Sequence, residues 1–259
     1  MSAALYLFKI KKIIMNKISV CIATYNGEKY IKEQLDSILP QLKKFDEIII
    51  SDDNSKDKTL KIIKSLKESR IKIFTNPKKG LISNFENAIT KSSGDYIFLS
   101  DQDDIWHENK IQICMNDLNC GYDLVLSDCA IFDSMSSTTK IESYFSFYKC
   151  KKGILYNTFV RNSYMGCCMA FNSKIKNKTL PFPKHLPMHD SWIGINAEIF
   201  FKVKHNNKKL VNHRFHDYNA SETGSKKGGS SFFQKLKWRL SLSYYLLINY
   251  ITQKLKLWN

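Results

Sequence analysis

The chain predicts an α/β fold: a Rossmann-like, mostly parallel sheet with helices on both faces, followed by an amphipathic helical tail. Three observations carry this. Short runs of strand-favouring residues recur at Ile18 to Ala23, Phe45 to Ile50, Ile71 to Phe74 and Tyr96 to Leu99. Segments with apolar residues at helical spacing separate them, the alternation that a parallel sheet requires. Three of these runs end in polar loops, Thr24-Tyr25-Asn26-Gly27, Ser51-Asp52-Asp53-Asn54-Ser55 and Ser100-Asp101-Gln102-Asp103-Asp104. Near the end, Phe233, Leu236, Leu240, Tyr244, Leu247, Ile251 and Leu255 recur every three or four positions, as in a long amphipathic helix or helix pair.

Each element has its own signal. After the first strand, Ile31, Leu35, Ile38 and Leu39 repeat at helical spacing until Pro40 closes the segment. The second strand leads to a helix with Ile62, Ile63 and Leu66 on one face and Asp57 expected in its first turn, where a carboxylate suits the helix dipole. Ile82 to Lys91 is a further helix. Gly94 and Asp95 mark the start of the fourth strand, and Asp123 to Ser127 reads as another. Met15-Asn16-Lys17 leads directly into the first strand, so residues 1–14 are expected to be a mis-assigned start or a flexible lead. Residues 15–224 then form the folded domain and residues 225–259 the tail.

Composition narrows the class. At 259 residues and 43% hydrophobic content, the chain can bury a substantial core. The formal charge is +16, but residues 1–17 and 226–259 supply eleven of those charges and contain no acid. The basicity therefore belongs to the ends. A nucleic-acid partner is motivated by net charge alone, and the placement of the basic residues at the ends argues against it. Seven cysteines lie scattered without metal-binding spacing, as expected of a reducing cytosol. No apolar run reaches the ~18 residues of a spanning helix.

In a parallel sheet, ligands bind at the carboxyl ends of the strands. That places Thr24-Tyr25-Asn26, Asp52-Asp53 and Asp101-Gln102-Asp103 around one crevice. Neither a G-x-G-x-x-G loop nor a G-x-x-x-x-G-K-[ST] loop is present, so dinucleotide-binding and P-loop readings lose their main support. Carboxylates at Asp101 and Asp103 suit Mg²⁺ or Mn²⁺ bound together with substrate phosphates. An isolated D-x-D is also compatible with a solvated loop.

The series SVCIATYNGEKYI, IIISDDNSKDKT and GDYIFLSDQDDIW, in that order, resembles the family 2 glycosyltransferases of GT-A fold, and within them the bacterial rhamnosyltransferase-like branch that builds surface polysaccharides. The resemblance runs from Lys17 to Thr223. It implies transfer of a sugar from a nucleotide-diphosphate donor, a UDP- or dTDP-sugar first, to a hydroxyl of a glycan or lipid-linked acceptor, with inversion. It further implies nucleotide or donor contacts at Ala23, Tyr25, Asn26, Asp53 and Asp101. Asp101 and Asp103 would be the D-x-D metal pair, and Trp106 reads as packing.

The second half adds four expectations. The stretch NSYMGCCMAF resembles the family's glycine loop, in which Gly166 would let backbone approach the donor sugar; the alternative is an ordinary turn glycine. Asp128 either lines the crevice or is a solvated loop acid. Asp190, in PMHDSW, occupies the place of the family's general base; without that context a carboxylate opening a helix is an N-terminal charge. The adjacent His189 reads as structural. The segment NHRFHDYNAS resembles the family's R-x-H-x-x-N-x-S stretch, with His216 reaching the metal or diphosphate and Arg214 neutralising phosphate charge.

The tail has two readings. Its basic residues suit an anionic bilayer, which would make the protein cytoplasmic and peripheral on the inner face of the cell membrane. Alternatively the helix packs on the catalytic domain or on a second subunit. Besides transferase chemistry, a non-catalytic sugar- or nucleotide-binding homologue is the other function class considered, and Asp101, Asp103 and Asp190 together weigh against it.

Overall fold

The computed structural model describes residues 16–136, 138–216 and 231–256. The expected lead at residues 1–14 and the stretch from Asp217 to Ser230, including the end of the R-x-H-x-x-N-x-S segment and the domain boundary at 224, lie outside the described residues.

The first half alternates as expected: β1 (Ile18–Thr24), α1 (Ile31–Ile38), β2 (Glu47–Asp52), α2 (Thr59–Ser65), β3 (Ile71–Thr75), α3 (Leu81–Lys91) and β4 (Tyr96–Asp101). Every residue of β1 and β2 is buried. A strand buried on both faces needs cover on both, which explains why these runs are continuously apolar instead of alternating. Ile22, Ile50, Phe85 and Phe98 are fully buried in the resulting core. Asp57 precedes α2 instead of lying in its first turn. Its carboxylate accepts from the backbone N–H and the hydroxyl of Thr59, so it works as a local clamp on the helix start.

The second half comprises β5 (Ile105–Trp106), α4 (Lys110–Asn119), β6 (Leu124–Asp133), β7 (Thr139–Ile141), α5 (Tyr144–Tyr148), β8 (Met169–Asn172), α6 (Ser173–Thr179), α7 (His189–Phe200), β9 (Val203–Phe215) and α8 (Phe232–Lys256). The sheet order is β3-β2-β1-β4-β8-β6-β9-β5, with β7 paired to β6. Strands β1, β2, β3, β4, β6 and β9 run one way, and β5, β7 and β8 run against them. The sheet is thus mostly parallel but not wholly so, because β8 inserts antiparallel between β4 and β6.

Register positions the site. Ala23 pairs with Asp101 on one side and Ser51 on the other, and Thr24 pairs with Asp52. The carboxyl ends of β1, β2 and β4 therefore finish level with one another. Helix α7 opens beside this edge, and α3 lies against β1 and β2 and touches α7.

Candidate active site

The loop after β1 is held to the loop after β4 by one side chain that sequence reading passed over. Gln102 accepts from the backbone N–H of Tyr25 at 2.9 Å and donates to the Tyr25 carbonyl at 3.0 Å. A Cβ on residue 27 would overlap the Gln102 amide, so this clamp requires Gly27. Asn26 adopts a left-handed φ of 47°, which asparagine tolerates better than most residues. The two acids flanking Gln102 are thereby fixed relative to Tyr25.

Asp103 meets His216. The His216 Nε2 lies 2.8 Å from Asp103 Oδ2, each side chain is 10% exposed, and the His216 ring stacks on Tyr30 at 5.1 Å. Deeper in, Asp101, Asp104, Cys167 and His213 each bring a ligand atom within 4.8 Å of one another. Asp104 Oδ1 and His213 Nδ1 are 2.8 Å apart. Burial raises the Asp104 carboxyl, but the charge and hydrogen bond of His213 more than offset it, leaving Asp104 below the usual carboxylate range. Asp101 goes the other way: burial first, then Asp104 and Asp103, push its carboxyl well above its ordinary value.

This donor set fits a hard divalent cation. The carboxylates of Asp101 and Asp103 and the His216 imidazole are donors that would hold such a cation. Asp104 Oδ2 is buried without a hydrogen-bond partner among the described residues, and three carboxylates crowd one site. A cation relieves that repulsion.

Asp190 sits in the first turn of α7 and is 9% exposed. Its Oδ1 accepts from Asn162 Nδ2 at 3.0 Å and from the Ser191 backbone, and the Gly166 backbone also contributes a hydrogen bond. Burial outweighs these bonds and pushes its carboxyl up to about 7. A carboxylate poised there can exchange a proton near neutral pH. His189 stacks on Phe85 at 4.1 Å, and burial lowers its imidazole to about 3, so it is a neutral packing group. A Cβ on residue 166 would come within 2.7 Å of His189 Nε2, so the close packing of this backbone on the ring requires glycine.

Two cavities open among these residues, and Asp103 itself lines neither. One, of about 600 Å³, is lined by Tyr25, Asn26, Tyr30, Gln102, Phe215 and His216. The other, of about 580 Å³, is lined by Asp101, Tyr144, Arg161, Gly166, Asp190 and Trp238 among others. The fold thus brings Tyr25, Asn26, Asp101, Asp103, Gly166, Asp190 and His216 to one edge of the sheet.

Other expected site residues stand elsewhere. Ala23 is buried within the sheet and paired on both sides. Asp53 lines neither cavity; its carboxylate accepts from Asn76 Nδ2 at 3.0 Å and the Gly80 N–H at 2.9 Å, tying β2 to the loop before α3. Arg214 also lines neither. Its guanidinium donates to Glu33 at 2.6 Å and to the Asp103 carbonyl at 2.8 Å, between the rings of Tyr30 and Phe132. It supports the Asp103 loop through that carbonyl. Asp128 neither lines the crevice nor is solvated. It is buried within β6, where it accepts from Ser143 Oγ at 2.6 Å and the Phe145 N–H at 3.0 Å, anchoring α5.

The family model for glycosyl transferase family 2 matches residues 19–180. The UDP-Glc:α-D-GlcNAc-diphosphoundecaprenol β-1,3-glucosyltransferase WfgD of Escherichia coli is 28% identical over 256 residues, covering 92% of this chain and 94% of WfgD. The dTDP-rhamnosyl transferase RfbG of Shigella flexneri is 41% identical over 112 residues, but only 38% of this chain and 39% of RfbG are covered. The chain therefore spans nearly all of the first relative and about two fifths of the second. Among solved structures, glucosyl-3-phosphoglycerate synthase from Mycobacterium tuberculosis, in complex with Mn²⁺, UDP-glucose and phosphoglyceric acid, superimposes with a TM-score of 0.58 at 19% identity, over 80% of this chain and 75% of that one.

Proposed function

The chain belongs to glycosyl transferase family 2, and on that premise we propose that it is an inverting, metal-dependent transferase that moves a sugar from a nucleoside-diphosphate donor to a hydroxyl of a lipid-linked or glycan acceptor in bacterial surface-polysaccharide synthesis. The single observation that carries the reading is that Asp101, beside the Asp103–His216 pair, lines the same cavity as Asp190, while His216 lines the other cavity with Tyr25 and Asn26.

The division of labour follows from that placement. The nucleotide occupies the cavity walled by Tyr25, Asn26 and Tyr30, while the donor sugar and acceptor occupy the cavity containing Asp190. Asp103 and His216 hold a divalent cation, with Asp101 beside them; Mn²⁺ and Mg²⁺ both suit the donor set. When bound, such an ion neutralises the negative charge that collects on the departing diphosphate. Gln102 keeps Tyr25 and the two acids in register. Asp190 accepts the proton of the acceptor hydroxyl as its oxygen attacks the anomeric carbon. The bond from that carbon to the diphosphate oxygen breaks on the opposite side, which inverts the centre.

The donor is a UDP- or dTDP-sugar. The names of WfgD and RfbG attach one of these nucleotides to each relative, which favours the pair over other bases. WfgD's name also specifies a lipid diphosphate acceptor, and the same acceptor class here would bring the protein to the cytoplasmic face of the membrane. Among the described residues, no helix is long and apolar enough to cross a membrane, and nucleic acid has no part in this reading. The experiment is radiolabelled transfer from UDP- and dTDP-sugars to a membrane lipid extract with Mn²⁺ or with EDTA. Transfer that needs the metal and is abolished in Asp190→Asn supports the reading; metal-independent transfer, or none from any donor by folded protein, removes it.

A further inference from the structure

Helix α8 is apolar on two faces, and the described residues bury only one. Leu242 and Leu246 are buried against the domain, and Ser241, Asn249 and Tyr250 contact His185, Asn196 and Phe200. The regular stripe faces outward: Phe233 is 80% exposed, and Leu240, Tyr244, Leu247 and Leu255 are 58–63% exposed. Packing on the domain therefore accounts for the residues between the stripe and leaves the stripe itself unexplained.

A second apolar ridge adjoins it from a distant part of the sequence. Around the π-helical turn Tyr156–Val160, Leu155 is 74% exposed, Val160 62% and Phe159 48%. Arg239 of α8 donates to the Val160 carbonyl at 3.2 Å, so the ridge and the helix are neighbours. Between them opens the cavity that holds Asp190, with Val160, Arg161, Trp238 and Arg239 in its lining. Charge follows the same layout. Residues 143–189 and 223–259 contain no acid, while Lys149, Lys151, Lys152 and Arg161 flank the ridge and Lys235, Lys237 and Arg239 lie on the helix. Glu198 accepts from the Gly153 backbone beside the ridge.

We infer that α8 and residues 154–160 together form a two-part docking surface for an anionic bilayer, which sets the mouth of the Asp190 cavity at the level of the lipid headgroups. Apolar side chains enter the interface while basic residues meet lipid phosphate. A second copy of this chain is a poorer occupant. A two-fold contact through this face would set one acid-free basic segment against its twin. The biological purpose of the surface rests on the reading of a lipid-linked acceptor, but vesicle binding needs neither donor nor acceptor.

The test is flotation of the full chain with vesicles of pure phosphatidylcholine and of phosphatidylcholine with an equal part of phosphatidylglycerol. Binding to the anionic vesicles is expected, with release at high salt. Leu240→Ser with Leu247→Ser should weaken it at least about tenfold, and Leu155→Ser with Phe159→Ser, remote in sequence, should also weaken it about tenfold. These side chains are exposed, so melting temperature and affinity for nucleoside diphosphate should stay unchanged. No anionic-vesicle binding, or binding indifferent to both double substitutions, overturns the surface while leaving the transferase reading standing. Light scattering that shows a dimer dissolved by the same substitutions assigns the face to a second copy instead.

Discussion

Asn162 donates its side-chain amide to Asp190 Oδ1 at 3.0 Å, joining the loop before β8 to the first turn of α7. The bond favours the charged carboxylate and opposes the burial that holds it near 7. On the proposed mechanism the deprotonated form is the active one, so kcat/KM should rise with pH through about 7. Asn162→Ala should move this acid limb upward by about one pH unit, since a hydrogen bond to a charged group contributes about 1.5–3 kcal/mol. A pH–rate profile of both proteins measures it; an unmoved limb would give Asn162 a merely structural role.

Asp190→Asn should lower kcat by about 10³-fold, within the usual range for loss of a general base, and leave nucleotide affinity intact. The same carboxyl affects stability with a definite sign. Its folded pKa is about 7 against an ordinary 3.8, so the folded state retains a proton that the unfolded chain releases in between. Stability contributed by this group is therefore present at low pH and falls as pH rises from about 4 to 7. Urea melts at pH 5 and pH 8 should show a smaller difference in Asp190→Asn than in the parent.

His213 and Asp104 are both buried and are 2.8 Å apart. Substituting His213 by Leu removes the partner and leaves a carboxylate in the core, which should cost about 3–5 kcal/mol. The double substitution His213→Leu with Asp104→Leu should recover much of that loss, and chemical denaturation of all four proteins closes the cycle.

Gln102→Ala deletes both bonds to the Tyr25 backbone. At about 1 kcal/mol each, the substitution should lower stability by about 2 kcal/mol and weaken nucleotide binding about tenfold, as measured by melting and by titration calorimetry. Unchanged affinity would detach the clamp from the nucleotide cavity.

The first half of the fold was legible because β1, β2 and β4 are buried on both faces and so carry unbroken apolar runs, punctuated by loops that end at one level. The second half was less so. Strand β9 contains the polar run Lys204 to Lys209 and is held by its long pairing with β6, which shifts register twice, a tertiary effect without a local pattern. The same limit explains the site. Carboxylates at strand ends advertise themselves, whereas Asp128 becomes a buried anchor only because Ser143 and Phe145 fold onto it. Nothing local to Arg214 in the sequence reveals its ion pair with Glu33. In α8 the period was correct but its direction was not readable: the stripe faces out, and Leu242 and Leu246 do the packing.

The central claim is that Asp103 and His216 make nucleotide binding depend on a divalent cation, apart from the work of Asp190. Titration calorimetry of UDP, dTDP and GDP, each with Mn²⁺ and with EDTA, tests it most directly. The account predicts that UDP or dTDP binds only with the metal, that Asp103→Ala abolishes this, and that Asp190→Asn preserves it. Binding that is equally tight in EDTA, or no binding of any diphosphate by folded protein, would contradict it.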